Sequence, residues 1–541
     1  MPSQAFGKDV ANLGLYRSLV RYGGFEAVQI LTAQDFNPAD LGQGPQPAIT
    51  RHDLLDLYAP CAAGVLLRGQ PYLAELAWIR SAFRSLNAYS LVGVIHTLAP
   101  PAVRELIGAA AVAPVQPWDA LVCTSPSVRQ GLEAMFAQWH HYLQERFGVQ
   151  RFTLPQLPVI PLAVDLEHLQ QQGADPQARA SLRAELGIAD HEVMVLWVGR
   201  LSYFEKAFPQ GMFIALQRAH RQCGVRLRFC LAGWFLDEQG DAELFREAAQ
   251  RHCPDVPVAF LDGRNQSLVD RCWAAADVFI SLVDNPQETF GLAPVEAMAA
   301  GLPVVVSDWD GYRSTVRDGV DGFRIPTLAG PACGIGDELA ARHSVGLFSY
   351  QDYVGAVAQH TAVDPEAAAL ALARLASSPE LRRQMGQAGQ QNVRDHLDWP
   401  VVIRQYLDLF AELAAIRGQA PHTTQRRSHP FRGNPFADFA HFATAQLAPR
   451  TLVALNTETP SRSQQGLGLE GLVGLDLVYG GCHASQVELQ QLLALLQPDQ
   501  PQALETLLAA FPGDRHQALA MGVVWLAKLG VIRWITPEAL R

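Results

Sequence analysis

The sequence predicts an α/β protein of two doubly wound parallel-sheet domains facing a cleft, followed by a small, mainly helical unit. Three observations predict it. Two successive series of short apolar runs alternate with helical stretches. The chain has 541 residues, more than a single hydrophobic core organises. A polar, proline-rich stretch then separates the second series from the C-terminal part.

In the first series the runs are AVQIL (27–31), AAGVLL (62–67), LVGVIH (91–96), ALVCT (120–124) and LPVIPLAV (157–164). Near-continuous apolar runs suit strands buried on both faces, as a parallel sheet between helices requires. A polar helical stretch, 165–189, connects to the second series. There EVMVLWVG (192–199) precedes a helix near Pro209, and LRFCLAG (227–233) precedes one near Glu243. VAFLD (258–262) precedes the helix Ser267–Ala276, and DVFISLV (277–283) and LPVVVSD (302–308) complete the set. The reading is therefore two Rossmann-like domains, 1–165 and 166–417, the second including closing helices from near Asp364. Residues 418–435 read as a linker and 436–541 as a helical accessory domain. Ligands of such sheets bind beyond the carboxyl ends of the strands, so the loops after Val198, Gly233, Asp262 and Val283 should open on one cleft.

Composition narrows the function. Apolar residues make up 49% and charged residues 18%, which fits compact folding. A net charge of −11 argues against a binder of bulk nucleic acid. The eight cysteines are scattered without a CxxC pair, as expected of reduced thiols in the cytoplasm. No apolar run reaches the ~18–20 residues that span a bilayer, and the opening MPSQAFGKDVANLG lacks a signal-type apolar core. A soluble, cytoplasmic protein is expected. From Pro430 onward seven Lys/Arg face nine Asp/Glu, the wrong sign for a DNA reader, so the C-terminal domain is expected to pack or to bind a protein partner.

The most informative stretch is ETFGLAPVEAMAAGLPVVVSD (288–308). Gly291 allows a backbone geometry closed to other residues, Pro294 suits the first turn of a helix, and Gly301 with Pro303 ends that helix. Glu296 then lies early in a helix whose free N–H groups face the cleft, a geometry that favours phosphate. Carboxylates beside a phosphate site can accept hydrogen bonds from sugar or ribose hydroxyls. A leaving diphosphate also needs cations. Arg200 and Lys206, in RLSYFEKAFP after the strand VLWVG, can supply them. No Asp-rich magnesium motif is evident, so no metal is expected.

Together with VGRLSYFEK, LAGW, AADVFISL, GVIHT, LVCTSPSVRQ and VIPLAVD, the block with Glu288 and Glu296 at E-x7-E spacing resembles the retaining glycosyltransferases of family four. These have the two-domain GT-B fold, and the resemblance covers roughly residues 6–415. It implies transfer of a sugar from a nucleotide diphosphate donor to an acceptor hydroxyl, without a cofactor. It also implies roles. Glu296 should hold the ribose, Glu288 the donor sugar, and Arg200 and Lys206 the diphosphate. The backbone of Phe290, Gly291, Leu292 and Ala293 should contact sugar and phosphate. His96 should sit near the reacting carbon, and the leaving phosphate should help deprotonate the acceptor.

The sequence departs from that pattern in three places. It starts almost inside the family's opening glycine loop, keeping Gly7 and Gly14, so either the true start lies upstream or the first strand is absent. DWDGYRSTV (308–316) replaces a Gly-Gly-x-Pro-Glu type of turn, and 328–364 is inserted. Two other readings stay open: a nucleotide-sugar epimerase on the same fold, and a non-catalytic scaffold. An NAD-dependent dehydrogenase is disfavoured by the lack of a GxGxxG turn. WHHYL (139–143) reads as a solvated helix rather than a zinc site. RRSHPFR (426–432) reads as a charged linker, with contact to anionic lipid headgroups as the alternative.

Overall fold

The structure, a computed structural model, describes residues 7–42, 47–237, 239–423, 426–456, 469 and 472–535. The opening residues 1–6 and positions 424–425 of the expected linker lie outside these. The chain divides into two compact units, Met1–Arg427 and Ser428–Arg541.

The first unit holds both βα series. In the N-terminal series, β1 (Ala27–Leu31) pairs in parallel with β2 (Ala48–His52). A separate parallel sheet has the order β3 (Val65–Arg68), β4 (Ser90–Val94), β5 (Ala120–Val122). Two expectations need correction here. Residues 62–63 close the helix Tyr58–Ala63 instead of opening a strand, since Gly64 at φ 77 ends that helix before β3. LPVIPLAV forms only isolated bridges, among them Cys123 with Val159. Pro155, Pro158 and Pro161 recur every third residue and strip the segment of the donors a ladder needs.

The five strands expected in the second series all form, joined by a sixth, unexpected strand at the sheet edge (Gly322–Ile325). Its six-stranded parallel sheet has the order β11-β10-β9-β6-β7-β8. The strands are β6 (Val193–Leu201), β7 (Leu227–Phe235), β8 (Val258–Asp262), β9 (Val278–Ser281), β10 (Val304–Ser307) and β11 (Gly322–Ile325). Two buried apolar clusters, one on each face, hold it. The order reverses at β6, which pairs with β7 on one side and β9 on the other, so their C-terminal loops emerge side by side. Segment 328–364 is a helical hairpin, helices Gly334–Ser344 and Tyr350–Gln359, stapled at its base by antiparallel β12 (Thr327–Ala329) and β13 (Thr361–Val363). The helix Trp399–Gln419 packs Val402, Ile403, Tyr406 and Leu413 with Val92, Val94 and Val122 of the first series. It thus returns to the N-terminal sheet, although it lies in the range expected for the second domain.

The second unit is more than helical. Beside its helices it holds an antiparallel sheet of order β15 (Gln502–Ala503), β14 (Leu452–Leu455), β16 (Ile532–Ile535). The helix His516–Lys528 ends before Gly530 at φ 69, and the alternating residues beyond it form β16.

A fully buried ion pair stiffens the N-terminal sheet. Arg80 donates to both carboxylate oxygens of Asp119 at 2.8 and 2.7 Å and to the Tyr89 carbonyl at 2.7 Å. Asp119 also accepts from the Leu91 and Gln116 amides. Truncating one member strands the other charge in the core. Asp119→Ala should therefore cost about 3–5 kcal/mol in chemical denaturation, with the loss read as a lower midpoint at an unchanged slope.

Candidate functional site

The site is built where the loops after β6 and β9 emerge. Arg200 lies within β6, whose end runs two residues beyond the expected strand. The turn after it carries Glu205, which accepts from Arg200 at 2.5 Å, and Lys206, whose ammonium reaches Glu288 at 3.1 Å. The β9 loop is pinned on several sides. Asp284 accepts from the Phe208 amide, Asn285 donates to the Phe204 carbonyl, and Trp309 donates to the Asn285 carbonyl. The loop therefore presents Glu288 in a set orientation.

Gly291, at φ 85, caps the helix Leu292–Ala299. A Cβ there would meet the Tyr312 ring at 1.8 Å, and one at Gly311 would meet Phe290 Cα at 2.3 Å. The DWDGYR turn is thus pressed against the back of the Phe290–Gly291 turn. Both glycines are needed for that approach, and Tyr312 is locked by a 3.0 Å hydrogen bond between its hydroxyl and that of Ser281.

The electrostatics distinguish the two glutamates. Burial alone would raise the Glu288 carboxyl. The Lys206 charge and hydrogen bond, with the Phe290 and Thr289 amides, outweigh it and hold the group below the usual range. Glu296, half-buried in the helix, has no such partner among the causes of its shift, and burial pushes it up to about 7. Lys206 and Glu288 are therefore a charged pair, and Glu296 is poised between its charged and neutral forms.

The first half reaches the same place. Thr289 donates to the His96 carbonyl at 2.8 Å, and Thr124 donates to the Thr289 carbonyl. The His96 ring lies 2.9 Å from the Asn12 side-chain oxygen, while Asn12 donates its amide to the Gly69 carbonyl. The ring thus donates from Nε2 and keeps Nδ1 free of a proton. Burial, then the Lys8 charge, push its pKa down to about 4.

Of the residues singled out in the sequence, Arg200 lies at the end of β6, while His96, Lys206, Glu288, Phe290, Gly291, Leu292, Ala293 and Glu296 lie on these strand-end loops or in the helix that follows. Lys206 and Glu288 touch directly, and Arg200 pairs with Glu205, the residue before Lys206. Sequence reasoning missed Glu205 and Asp310. Asp310 takes φ 35 and accepts from Ser125 of the first half at 2.8 Å, and burial pushes its carboxyl up to about 6. Its Asp-Gly pair was a visible turn signal; nothing in the sequence marked Glu205. Among the described residues, no group of three or more His, Cys, Asp or Glu gathers as a metal site.

Residues 178–328 match the family model for glycosyl transferases group 1. A D-inositol 3-phosphate glycosyltransferase of Nocardia farcinica is 31% identical over 185 residues, 34% of this chain and 38% of that protein. One of Geodermatophilus obscurus is 31% identical over 229 residues, 39% of this chain and 48% of that protein. The matched stretch thus spans less than half the length of these two relatives. Among solved structures, Anabaena HepE in complex with UDP is similar at 16% identity and a TM-score of 0.48, covering 76% of this chain and 98% of that one.

Two predictions follow from this geometry. Gly291→Ala should drive a methyl group into the Tyr312 ring at an unfavourable φ, lowering the melting temperature in calorimetry. In histidine-resolved NMR titration, His96 should stay neutral down to about pH 5 and protonate near 4. Because the unfolded ring takes its proton near ~6.5, the His96 contribution to stability is present above that pH and is lost as pH falls toward 4.

Proposed function

Starting from a chain whose residues 178–328 form a glycosyl transferases group 1 domain, we propose that the protein transfers a sugar from a nucleoside diphosphate sugar to an acceptor hydroxyl, with retention at the anomeric carbon. One observation carries this reading: the Lys206–Glu288 pair at the mouth of a helix whose N-terminal amides are turned in by Gly291.

The donor's diphosphate would lie against the amides of Leu292 and Ala293, where the helix dipole favours negative charge. Arg200 and Lys206 would neutralise it. At rest these cations are held by Glu205 and Glu288. Arrival of the diphosphate would draw Lys206 to phosphate and leave Glu288 to accept hydrogen bonds from the sugar. Glu296, one helical turn further on, would accept from the ribose hydroxyls. The oxygen of the departing phosphate would serve as base for the attacking hydroxyl, with attack on the face the leaving group vacates. His96, neutral and oriented by Asn12, would hydrogen-bond the sugar without adding charge near a developing oxocarbenium ion.

A thermal-shift panel of nucleotides and nucleotide sugars tests the reading. The true donor should raise the melting temperature by mass action, and a flat response to all of them would refute it. Glu296→Ala should weaken donor binding roughly tenfold to a hundredfold in calorimetric titration, the scale of hydrogen bonds to a charged group. Glu288→Gln should keep nucleotide binding while losing most turnover. Lys206→Ala should slow cleavage of the sugar–phosphate bond in single-turnover measurements.

A further inference from the structure

The hairpin of residues 330–360 begins where the family match ends, at residue 328, and it touches the site at several points. Its second helix opens with Tyr350, behind a capping box made by Ser349 and Asp352. The Tyr350 hydroxyl donates to the side-chain oxygen of Gln287 at 2.8 Å, directly beside Glu288. The next residue, Gln351, donates to Glu205 at 3.3 Å, the carboxylate that holds Arg200. One turn on, Tyr353 accepts from Arg104 of the first half at 3.4 Å. The helix lies so close to the β6 loop that a Cβ at Gly355 would sit 3.0 Å from Phe204 Cβ.

Three residues of one helix thus reach Gln287 beside Glu288, the Glu205 carboxylate that holds Arg200, and Arg104 of the first half. We propose that this hairpin is a clip that sets the spacing of the site's loops, with Tyr350 as its positioning residue. Tyr350 acts through Gln287 on the turn bearing Glu288 without touching the donor, while Tyr353 ties the same helix to Arg104 of the first half. This rests on the glycosyltransferase reading above. The clip fixes alignment across the halves, so its loss should lower the rate of sugar–phosphate cleavage while the diphosphate cradle, built within the second half, keeps its affinity.

The test uses the full chain with UDP-glucose, GDP-glucose and ADP-glucose, water as acceptor, and release of nucleoside diphosphate as the readout. For the donor that wild type cleaves, Tyr350→Phe should lower kcat about tenfold, the scale of one lost hydrogen bond, with KM within about twofold and an unshifted melting temperature. Gln287→Leu should lose a similar factor, and the double variant should lose no more than either alone, because both remove the same Tyr350–Gln287 contact. A merely structural role would instead move the melting temperature and leave the kcat-to-KM balance alone. Wild-type kinetics in Tyr350→Phe, or additive losses in the double variant, would overturn the clip while leaving the enzyme reading intact. Failure of wild type to bind or cleave any of the three donors would overturn both.

Discussion

The ion pair between Lys206 and Glu288 is the constraint around which the rest of the site is arranged. It bridges two loops that leave neighbouring strands, β6 and β9, on one edge of the strand-order reversal. Each partner is mostly buried, the glutamate only 16% exposed, and a charge at such a place is costly without its counterion. The surrounding structure serves to keep the two in register. Asn285 and Asp284 tie the β9 loop to the turn that carries Lys206, and Trp309 closes it from the other side. A ligand offering a phosphate and a hydroxyl can replace both partners at once, so neither charge need be left bare during the exchange. A ligand offering only one of them cannot.

How much of this was legible in the sequence depends on how local the cause is. The strands of the second series follow their apolar runs to within about two residues, because a strand buried on both faces leaves an unbroken apolar record. LPVIPLAV has the same record, but its prolines override it, and β2 (AITRH) was invisible because an exposed, polar strand leaves none. In the site, Gly291 could be read as a turn residue from the motif alone. That its missing side chain makes room for the Tyr312 ring could not, since the two residues lie 21 positions apart and meet only in the fold. Glu205, Asp310 and Tyr350 share that fate: each matters through a partner that no sequence spacing announces.

The charges of the site are distributed unequally between the halves, and this bears on how the cleft can move. Arg200, Glu205, Lys206, Glu288, Glu296 and Asp310 all come from the second half, and the Arg200–Glu205 and Lys206–Glu288 ion pairs close within it. Around the site the first half reaches across mostly with neutral groups, the His96 carbonyl and the hydroxyls of Thr124, Ser125 and Ser127, joined by Arg104, which donates to the Tyr353 hydroxyl. Neutral hydrogen bonds are worth about 1 kcal/mol each once water can replace them, and the one from Ser125 to the Asp310 carboxylate about 1.5–3. Separating the halves at these points therefore costs a few kcal/mol, and no buried ion pair has to be broken to do it. Asp310 adds to the tendency. A non-glycine residue at φ 35 stores strain of order 1 kcal/mol, and its bond to Ser125 helps hold it there. Parting the halves along these hydrogen bonds would leave the Lys206–Glu288 and Arg200–Glu205 pairs assembled within the second half.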